Sequence, residues 1–267
     1  MSLPLYWIDA FADRAFAGNP AAVVPLPSGW LEAPLMQQIA FENGLAETAF
    51  FIRDTADRFH LRWFTPTVEV DLCGHATLAA AHVLFRELGY RGEIVTFDSR
   101  SGPLLVTRRA DGKLELDFPA TPVKAVQDVE VAVAVREALG RKQAWVGCSK
   151  FDRFAVLPDA AAVRALRPNL TQVTAAGGRG LIVTAPGDGT CDFVSRFFAP
   201  QSGVPEDPVT GSAHCALVPY WAARLGKPVL HARQISARGG ELWCELAGVR
   251  VKIAGFARLY LRGEISV

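Results

Sequence analysis

The chain has 267 residues, half of them hydrophobic (50%), which is enough for one large domain or two modest ones with a sizeable core. Lysine and arginine number 28 and aspartate and glutamate 27, and the resulting net charge of +1 gives no field that would attract nucleic acid or an anionic membrane. We therefore expect neither as a partner.

The cysteines and the N-terminal residues indicate a cytoplasmic protein. The five cysteines are widely spread and form no CxxC motif, which argues against a zinc ribbon or a redox pair and favours a reducing compartment. The opening MSLPLYWIDAF lacks the basic start and apolar run of a signal peptide. Because no residues have metal-ligand spacing, we predict no bound metal.

The first informative elements are a helix and the strand after it. A helix over about 34–42 is predicted to end at Asn43-Gly44, where glycine suits a left-handed C-cap. The strand ETAFFI follows and opens with Glu47, a carboxylate in an otherwise apolar stretch. Glu47 is either a solvated residue at a strand end or an acid/base held for chemistry, and the local sequence leaves both readings open.

A second helix is predicted over 74–88, in CGHATLAAAHVLFRELG. Its small and apolar residues cover nearly every face, which is typical of a buried helix, and Gly89 is well placed as its C-cap. Strands follow, with a hairpin signal at Asp111-Gly112.

The second half of the chain repeats the first. TGSAHCALVPYWAARLG, residues 210–226, aligns with residues 73–89 at an offset of 137, and Arg196-Phe-Phe-Ala-Pro parallels Arg62-Trp-Phe-Thr-Pro at an offset of 134. We infer an internal duplication and an α/β (α+β) fold of two pseudo-symmetric domains. Each is expected to be a curled, mostly antiparallel sheet around a central buried helix.

The expected domains are residues 1–118, with central helix 74–88, and residues 119–267, with central helix 211–225. The final strand, about 256–267, is expected to pack back on the first half. Duplicated halves often face each other across a pseudo-twofold axis, so we expect a cleft between them in which both helix starts meet a ligand.

The starts of the two central helices are candidate anion sites. Gly74 and Gly211 would let a ligand approach the free amides and the positive end of the helix dipole. The ordinary alternative is that Thr210 or Ser212 simply caps its helix. Glu206 and Asp207, bracketed by prolines just before the second helix, are either structural anions or groups that exchange protons with a ligand.

The motifs along the chain resemble those of the PhzF family of phenazine-biosynthesis-type isomerases, which have the diaminopimelate-epimerase-like fold. The motifs are AGNPAAVV (17–24), GLAETAF (44–50), DLCGHATLAA (71–80), SRSGPL (99–104), GVPEDPVTGSAH (203–214) and RGGEL (238–242). They occur in family order over nearly the whole chain.

The resemblance implies cofactor-independent proton-shift chemistry on a small anionic substrate, with an active site between the halves and commonly a homodimer. It implies Glu47 as the catalytic acid/base, supported by His75, Asp207 and Ser212. It also implies that the substrate is held by four further residues: Asn19, Gly74, Thr210 and Gly211.

Two other functions stay open. A racemase or epimerase of an amino-acid-like substrate would use one thiol from each half, but the repeat partner of Cys73 is Thr210, so no symmetric thiol pair exists. A non-catalytic protein that binds a small ligand could have the same fold. The substrate itself cannot be read from the sequence.

Overall fold

The computed structural model describes all 267 residues, and they form eighteen strands and six α-helices. The strands are β1 Ser2–Ala10, β2 Asn19–Pro25, β3 Glu47–Arg53, β4 Arg58–Phe64, β5 Glu69–Val70, β6 Ile94–Ser99, β7 Gly102–Arg108, β8 Leu114–Pro119, β9 Lys124–Ala125, β10 Trp145–Cys148, β11 Arg153–Val156, β12 Leu181–Pro186, β13 Phe193–Ala199, β14 Val204–Asp207, β15 Val229–Gln234, β16 Gly240–Ala247, β17 Arg250–Gly255 and β18 Ala257–Ser266. The α-helices are α1 Ala33–Asn43, α2 Gly74–His82, α3 Val129–Leu139, α4 Ala160–Arg164, α5 Leu170–Ala175 and α6 Gly211–Leu225.

The chain divides into two compact units. The first unit comprises Met1–Asp117 and Ala254–Val267, and the second comprises Phe118–Ile253. No helix is long and apolar enough to cross a membrane.

In the first unit the sheet runs from β18 through β1, β2, β3 and β4 to β6 and β7, and β7 pairs with β8. The short strand β5 pairs with the end of β4 that β6 leaves free. The β2–β3 and β4–β6 pairs are parallel and the others are antiparallel. The last strand of the chain therefore covers the edge of the first strand.

The second unit repeats this order. The strands run from β9 through β10, β11, β12 and β13 to β15 and β16, and β14 pairs with β13 as β5 does with β4. The two parallel pairs, β11–β12 and β13–β15, fall at the equivalent places. The shared topology confirms the predicted fold class, in which each half is a mostly antiparallel sheet with one central helix.

The central helix of each unit is buried, as the sequence predicted. Every residue of α2 from Gly74 to Ala81 is buried, and the helix packs against β1, β2 and β3. Helix α6 has nine buried residues and packs against β15 and β16. Gly89 and Gly226 follow the two helical segments in the left-handed conformation, which glycine adopts without steric cost.

The predicted helix 74–88 is not regular over its whole length. The α-helix ends at His82, and Val83–Glu87 continue as a π-helical turn in which the Leu88 N–H donates to the Val83 carbonyl. The wider turn keeps Val83, Leu84 and Phe85 buried in succession. A periodic pattern cannot reveal such a change, because one extra residue per turn leaves the apolar run intact.

Candidate active site

Glu47 and His75 form a close buried pair in the first unit. Glu47 is the first residue of β3, and His75 is the second residue of α2, beside that strand. Glu47 Oε2 lies 3.0 Å from His75 Nε2, and the side chains are 17% and 6% exposed. Neither atom makes a well-aligned hydrogen bond, although both are inaccessible to solvent. Such atoms retain hydrogen-bonding capacity for a ligand.

The other ring nitrogen of His75 faces two further residues. Asn19 Nδ2 lies 3.1 Å from His75 Nδ1, and Cys73 Sγ lies 3.5 Å from the same nitrogen. Asn19 is the first residue of β2, and Cys73 immediately precedes α2. The imidazole therefore lies between a carboxylate on one side and an amide and a thiol on the other.

The charges at this cluster favour a protonated ring. Burial by itself lowers the pKa of His75, but the Cys73 sulfur and the Glu47 carboxylate outweigh burial and raise this pKa well above its ordinary value. Burial, together with the charge of Glu47, raises the pKa of the Cys73 thiol. The two shifts share one cause, the Glu47 carboxylate, whose charge favours a proton both on His75 and on Cys73.

The same residues are chemically capable of binding a metal, but their orientation does not favour one. Glu47, Cys73 and His75 each offer a ligand atom, and these atoms lie within 4.8 Å of one another. A metal ion would bind one ring nitrogen, however, and His75 presents Nδ1 to the sulfur and Nε2 to the carboxylate. With this orientation the sulfur and the carboxylate approach different nitrogens of the ring.

Both central helices begin without a side-chain cap. Cys73 and Thr210 occupy the N-cap positions of α2 and α6, and neither makes a capping hydrogen bond. Helices α3, α4 and α5, in contrast, are capped by Asp128, Asp159 and Asn169. The simple capping role considered for Thr210 is therefore wrong. The first-turn amides of α2 and α6 lack the side-chain partner that most helix starts use.

At the start of α6, Thr210 has other partners. Its hydroxyl donates to Asp207 Oδ2, and its backbone N–H donates to Gln234 Oε1 at 2.9 Å. Gln234 Nε2 in turn donates to the Asp207 carbonyl at 2.7 Å. Gly211 is buried and Ser212 is half-buried in the first turn. This network fixes the loop that carries Asp207 into the helix.

An arginine–glutamate pair secures the same loop in each unit. Arg62 of β4 donates two hydrogen bonds to Glu69 of β5, at 2.7 and 2.9 Å. Arg196 of β13 donates two to Glu206 of β14, at 2.7 and 2.8 Å. Glu206, one of the two acidic residues before the second helix, therefore has a structural role.

A serine also repeats at the two helix starts. The Ser101 hydroxyl donates to the Asp71 carbonyl at 2.7 Å, and the Ser236 hydroxyl donates to the Pro208 carbonyl at 2.8 Å. Each accepting carbonyl lies two residues before its N-cap. Sequence reasoning missed both serines, although SRSGPL and RGGEL were recognised as motifs; aligning the repeat further, beyond the helices, would have shown the offset of 135.

The fourth residue of each central helix bonds back to the N-cap carbonyl. The Thr77 hydroxyl donates to the Cys73 carbonyl at 2.6 Å, and His214 Nδ1 lies 2.8 Å from the Thr210 carbonyl. Burial lowers the pKa of His214 to about 4. His214 is therefore a neutral structural residue of the helix start, equivalent to Thr77.

Comparison with known proteins decides the family. A family model described as phenazine biosynthesis-like protein, PhzC-PhzF, matches residues 8–263. The chain belongs to this phenazine biosynthesis-like family. A relative from Pseudomonas aeruginosa named an uncharacterized isomerase is 52% identical over 267 residues and covers 100% of both chains. A human phenazine biosynthesis-like domain-containing protein is 41% identical over 289 residues, again covering 100% of both.

A solved structure of a PhzF-family protein from Enterococcus faecalis superposes on the chain with a TM-score of 0.93. The two proteins are 46% identical, and the match covers 100% of each. The fold described above is therefore that of the PhzC-PhzF family.

The residues expected to form the site fall into two groups, one in each unit. The first unit brings together Asn19, Glu47 and His75, with Gly74 next to His75 at the helix start. The second unit brings together Asp207 and Thr210, with Gly211 and Ser212 in the following turn. Cys73 is the residue of the first group that the expected set of catalytic and binding residues lacked.

Proposed function

We propose that the protein is a cofactor-independent isomerase that moves a proton between two carbons of a small carboxylate, with Glu47 as the acid/base. The observation that carries the proposal is the Glu47–His75 pair, whose facing atoms are 3.0 Å apart, buried and free of well-aligned hydrogen bonds. The family assignment and the isomerase name of the Pseudomonas relative support this reaction class.

Glu47 would carry the proton through both steps. As the carboxylate it accepts a proton from a substrate carbon, whose bonding electrons pass into the adjacent unsaturated system. As the acid it returns that proton to a different carbon of the same intermediate, so the overall reaction is a double-bond shift with no net gain or loss of atoms. A single carboxylate performs both steps if it is shielded from water between them.

His75 would position Glu47, whose Oε2 lies 3.0 Å from His75 Nε2. Asp207 and Ser212, assigned from the family resemblance, would bind the substrate's polar groups and adjust the proton affinity of the bound substrate. Because α2 and α6 lack side-chain caps, the amides at Gly74 and Gly211 are suited to a substrate carboxylate and to the negative charge that develops next to it.

An epimerase that uses two thiols has less support. The repeat counterpart of Cys73 is Thr210, whose hydroxyl is engaged by Asp207. Burial raises the pKa of the Cys215 thiol to about 12, which leaves it a poor base at neutral pH. Cys73 would therefore act without a thiol partner.

The experiment uses a pool of small carboxylic acids incubated with the protein in D2O and examined by mass spectrometry. The wild type is expected to add deuterium to one or more compounds, and Glu47→Gln is expected to reduce that incorporation at least about 100-fold. Glu42→Gln is the matched control, because Glu42 is an exposed glutamate of α1. Full incorporation by the Glu47→Gln variant would refute the role of Glu47.

If Glu47 returns the same proton to the substrate before it exchanges with solvent, no deuterium is incorporated, and a second readout is needed. Product formation from the same pool, followed by chromatography, detects an isomer whose mass is unchanged. A pool member that stabilises the protein to heat, but is neither labelled nor converted, would instead support a non-catalytic ligand-binding protein.

A further inference from the structure

Asn19 makes its contact with His75 through an atom that can only donate. Its side chain is fully buried, and its Nδ2 lies 3.1 Å from His75 Nδ1. An amide nitrogen carries two protons and accepts no hydrogen bond, so this contact is a hydrogen bond only in the neutral ring, where Nδ1 supplies the lone pair. A proton on Nδ1 would set two donors against each other.

We propose that Asn19 is a positioning residue that selects the tautomer of the neutral His75 ring, in which Nδ1 is unprotonated and the proton is on Nε2, opposite Glu47. The proposal rests on the proposed function, in which Glu47 transfers the proton. It gives Asn19 a different task from the substrate contact that the family resemblance implies. The charge of Glu47 determines how readily the ring protonates, and Asn19 determines which nitrogen keeps the last proton.

The backbone around Asn19 holds the amide in place. Asn19 pairs with Ala10 at the start of the β1–β2 ladder. Gly18, just before it, has φ +71, and a Cβ there would lie 2.2 Å from the Ala10 carbonyl oxygen. The close approach of the backbone at Gly18 to the backbone at Ala10 therefore fixes the position from which Asn19 reaches the ring.

The surroundings of His75 contain few groups that could set the proton otherwise. The titratable groups that act on the ring are Glu47 from β3, at Nε2, and Cys73 from the residue before α2, at Nδ1. The uncharged Cys73 thiol can donate or accept weakly, so it does not fix the tautomer. The Asn19 amide is the group with an unambiguous donor at Nδ1.

A consequence for the reaction follows from the ring's orientation. With the proton on Nε2, His75 presents an N–H toward Glu47 Oε2, 3.0 Å away, and cannot itself accept a proton at that nitrogen. The other carboxylate oxygen of Glu47 is then the atom available to the substrate carbon. Asn19 thus keeps a proton on Nε2, facing Glu47, when the ring is neutral as well as when it is charged, and leaves Glu47 as the base and His75 as the group that orients it.

The test is nitrogen NMR of the whole protein labelled with ¹⁵N-histidine, over a pH series from about 6 to about 10. The two ¹⁵N chemical shifts of each histidine ring report which ring nitrogen carries the proton. His214 is an internal reference of the opposite kind, because a carbonyl accepts from its Nδ1 and the ring is neutral. In the wild type the neutral form of His75 is expected to be Nε2–H, while His214 is Nδ1–H.

Two variants complete the test. Asn19→Asp replaces the donor by an acceptor, and is expected to protonate Nδ1 and raise the pKa of His75 so that proton affinity increases about tenfold or more. Asn19→Leu is expected to give a mixture of both neutral tautomers. If Asn19→Leu fails to fold, Asn19→Asp, which is nearly isosteric, still decides.

Three outcomes would overturn the proposal. They are a neutral wild-type ring protonated at Nδ1, a wild-type ring that keeps both protons to about pH 10, and an Asn19→Asp spectrum identical to the wild type. The readout does not depend on turnover. An active Glu47→Gln variant alongside the expected tautomers would therefore refute the proposed function and leave the tautomer assignment standing.

Discussion

The arginine–glutamate pairs at the two helix starts allow a comparison within one molecule. Arg196 is 10% exposed, and its guanidinium donates to Glu206 twice and to the carbonyls of Val163 and Leu166, at 3.1 and 2.8 Å. Arg196→Met removes the charge and all four hydrogen bonds but retains most of the apolar stem. It leaves the Glu206 carboxylate without its partner, whereas the Val163 carbonyl keeps the Leu166 N–H at 3.3 Å and the Leu166 carbonyl keeps Arg167 Nη1 at 2.9 Å.

We expect Arg196→Met to lower the free energy of unfolding by about 4 kcal/mol, the cost typical of breaking a buried ion pair on one side. Arg62→Met is the matched substitution and is expected to cost only about 2 kcal/mol. Arg62 is more exposed, at 21%, and Glu69 keeps a second partner, because Arg100 Nη2 lies 2.8 Å from it. The two equivalent substitutions should therefore differ by about 2 kcal/mol.

The assay is urea unfolding followed by tryptophan fluorescence and circular dichroism. Trp63 lies in the first unit and Trp221 in the second, so both units have a buried reporter. Adding Glu206→Leu to Arg196→Met should recover much of the loss, because an apolar pair replaces an unpaired charge. Equal losses for Arg62→Met and Arg196→Met, or no recovery in the double variant, would refute the reasoning.

Three further predictions concern single residues. Burial, with the charges of Arg86 and Arg258, lowers the pKa of His82 to about 4. The contribution of the neutral ring to stability is present above its unfolded pKa of about 6.5 and is lost as the pH falls toward 4. Acidification to about pH 5 should therefore lower the free energy of unfolding of the wild type by about 2 kcal/mol more than that of His82→Gln. Equal pH dependence in urea titrations would contradict this. Cys73→Ser should reduce deuterium incorporation less than about tenfold, whereas a loss as large as that of Glu47→Gln would support thiol catalysis. Gly18→Ala should destabilise the protein by about 2 to 4 kcal/mol, because it adds a steric clash to the cost of a positive φ. Gly29→Ala is the control: a Cβ there meets nothing within 4 Å, so the substitution should cost only about 1 kcal/mol in the same unfolding assay.

The helices and the repeat were accessible to sequence reasoning because they leave periodic signals. Helix α6 was predicted at 211–225, and the structure has Gly211–Leu225. Helix α1 was predicted at about 34–42 and spans Ala33–Asn43, with Gly44 left-handed at its end as expected. Burial of α2 followed from small and apolar residues on all its faces.

The contacts that hold the site together were not accessible in the same way. Glu47 could be read as a solvated strand end, and only the placement of His75 beside it shows that the carboxylate is largely buried. The tautomer question at Asn19 depends on which atom of an amide faces a ring, and no spacing encodes that. His75 contacts Glu47 and Asn19, which precede it in the sequence by 28 and 56 positions. Local sequence patterns do not report contacts over such separations.

The duplication itself shows which residues are scaffold and which are specific to one half. The Arg–Glu pair, the serine and the fourth residue of the helix have the same roles in both units, and they serve to hold a helix start. The positions assigned to chemistry differ: Cys73 corresponds to Thr210, and His75 to Ser212.

The position of Glu47 shows the difference most clearly. Thr48 pairs with Phe64 and Leu181 pairs with Phe198, which is the repeat equivalent of Phe64, so the counterpart of Glu47 is Gly180. A Cβ at Gly180 would lie 2.4 Å from the Phe197 ring. A side chain at Gly180 would therefore require the Phe197 ring to move, at the place where the first half carries its carboxylate. The scaffold is shared by the two halves, but only the first has a carboxylate at this strand end.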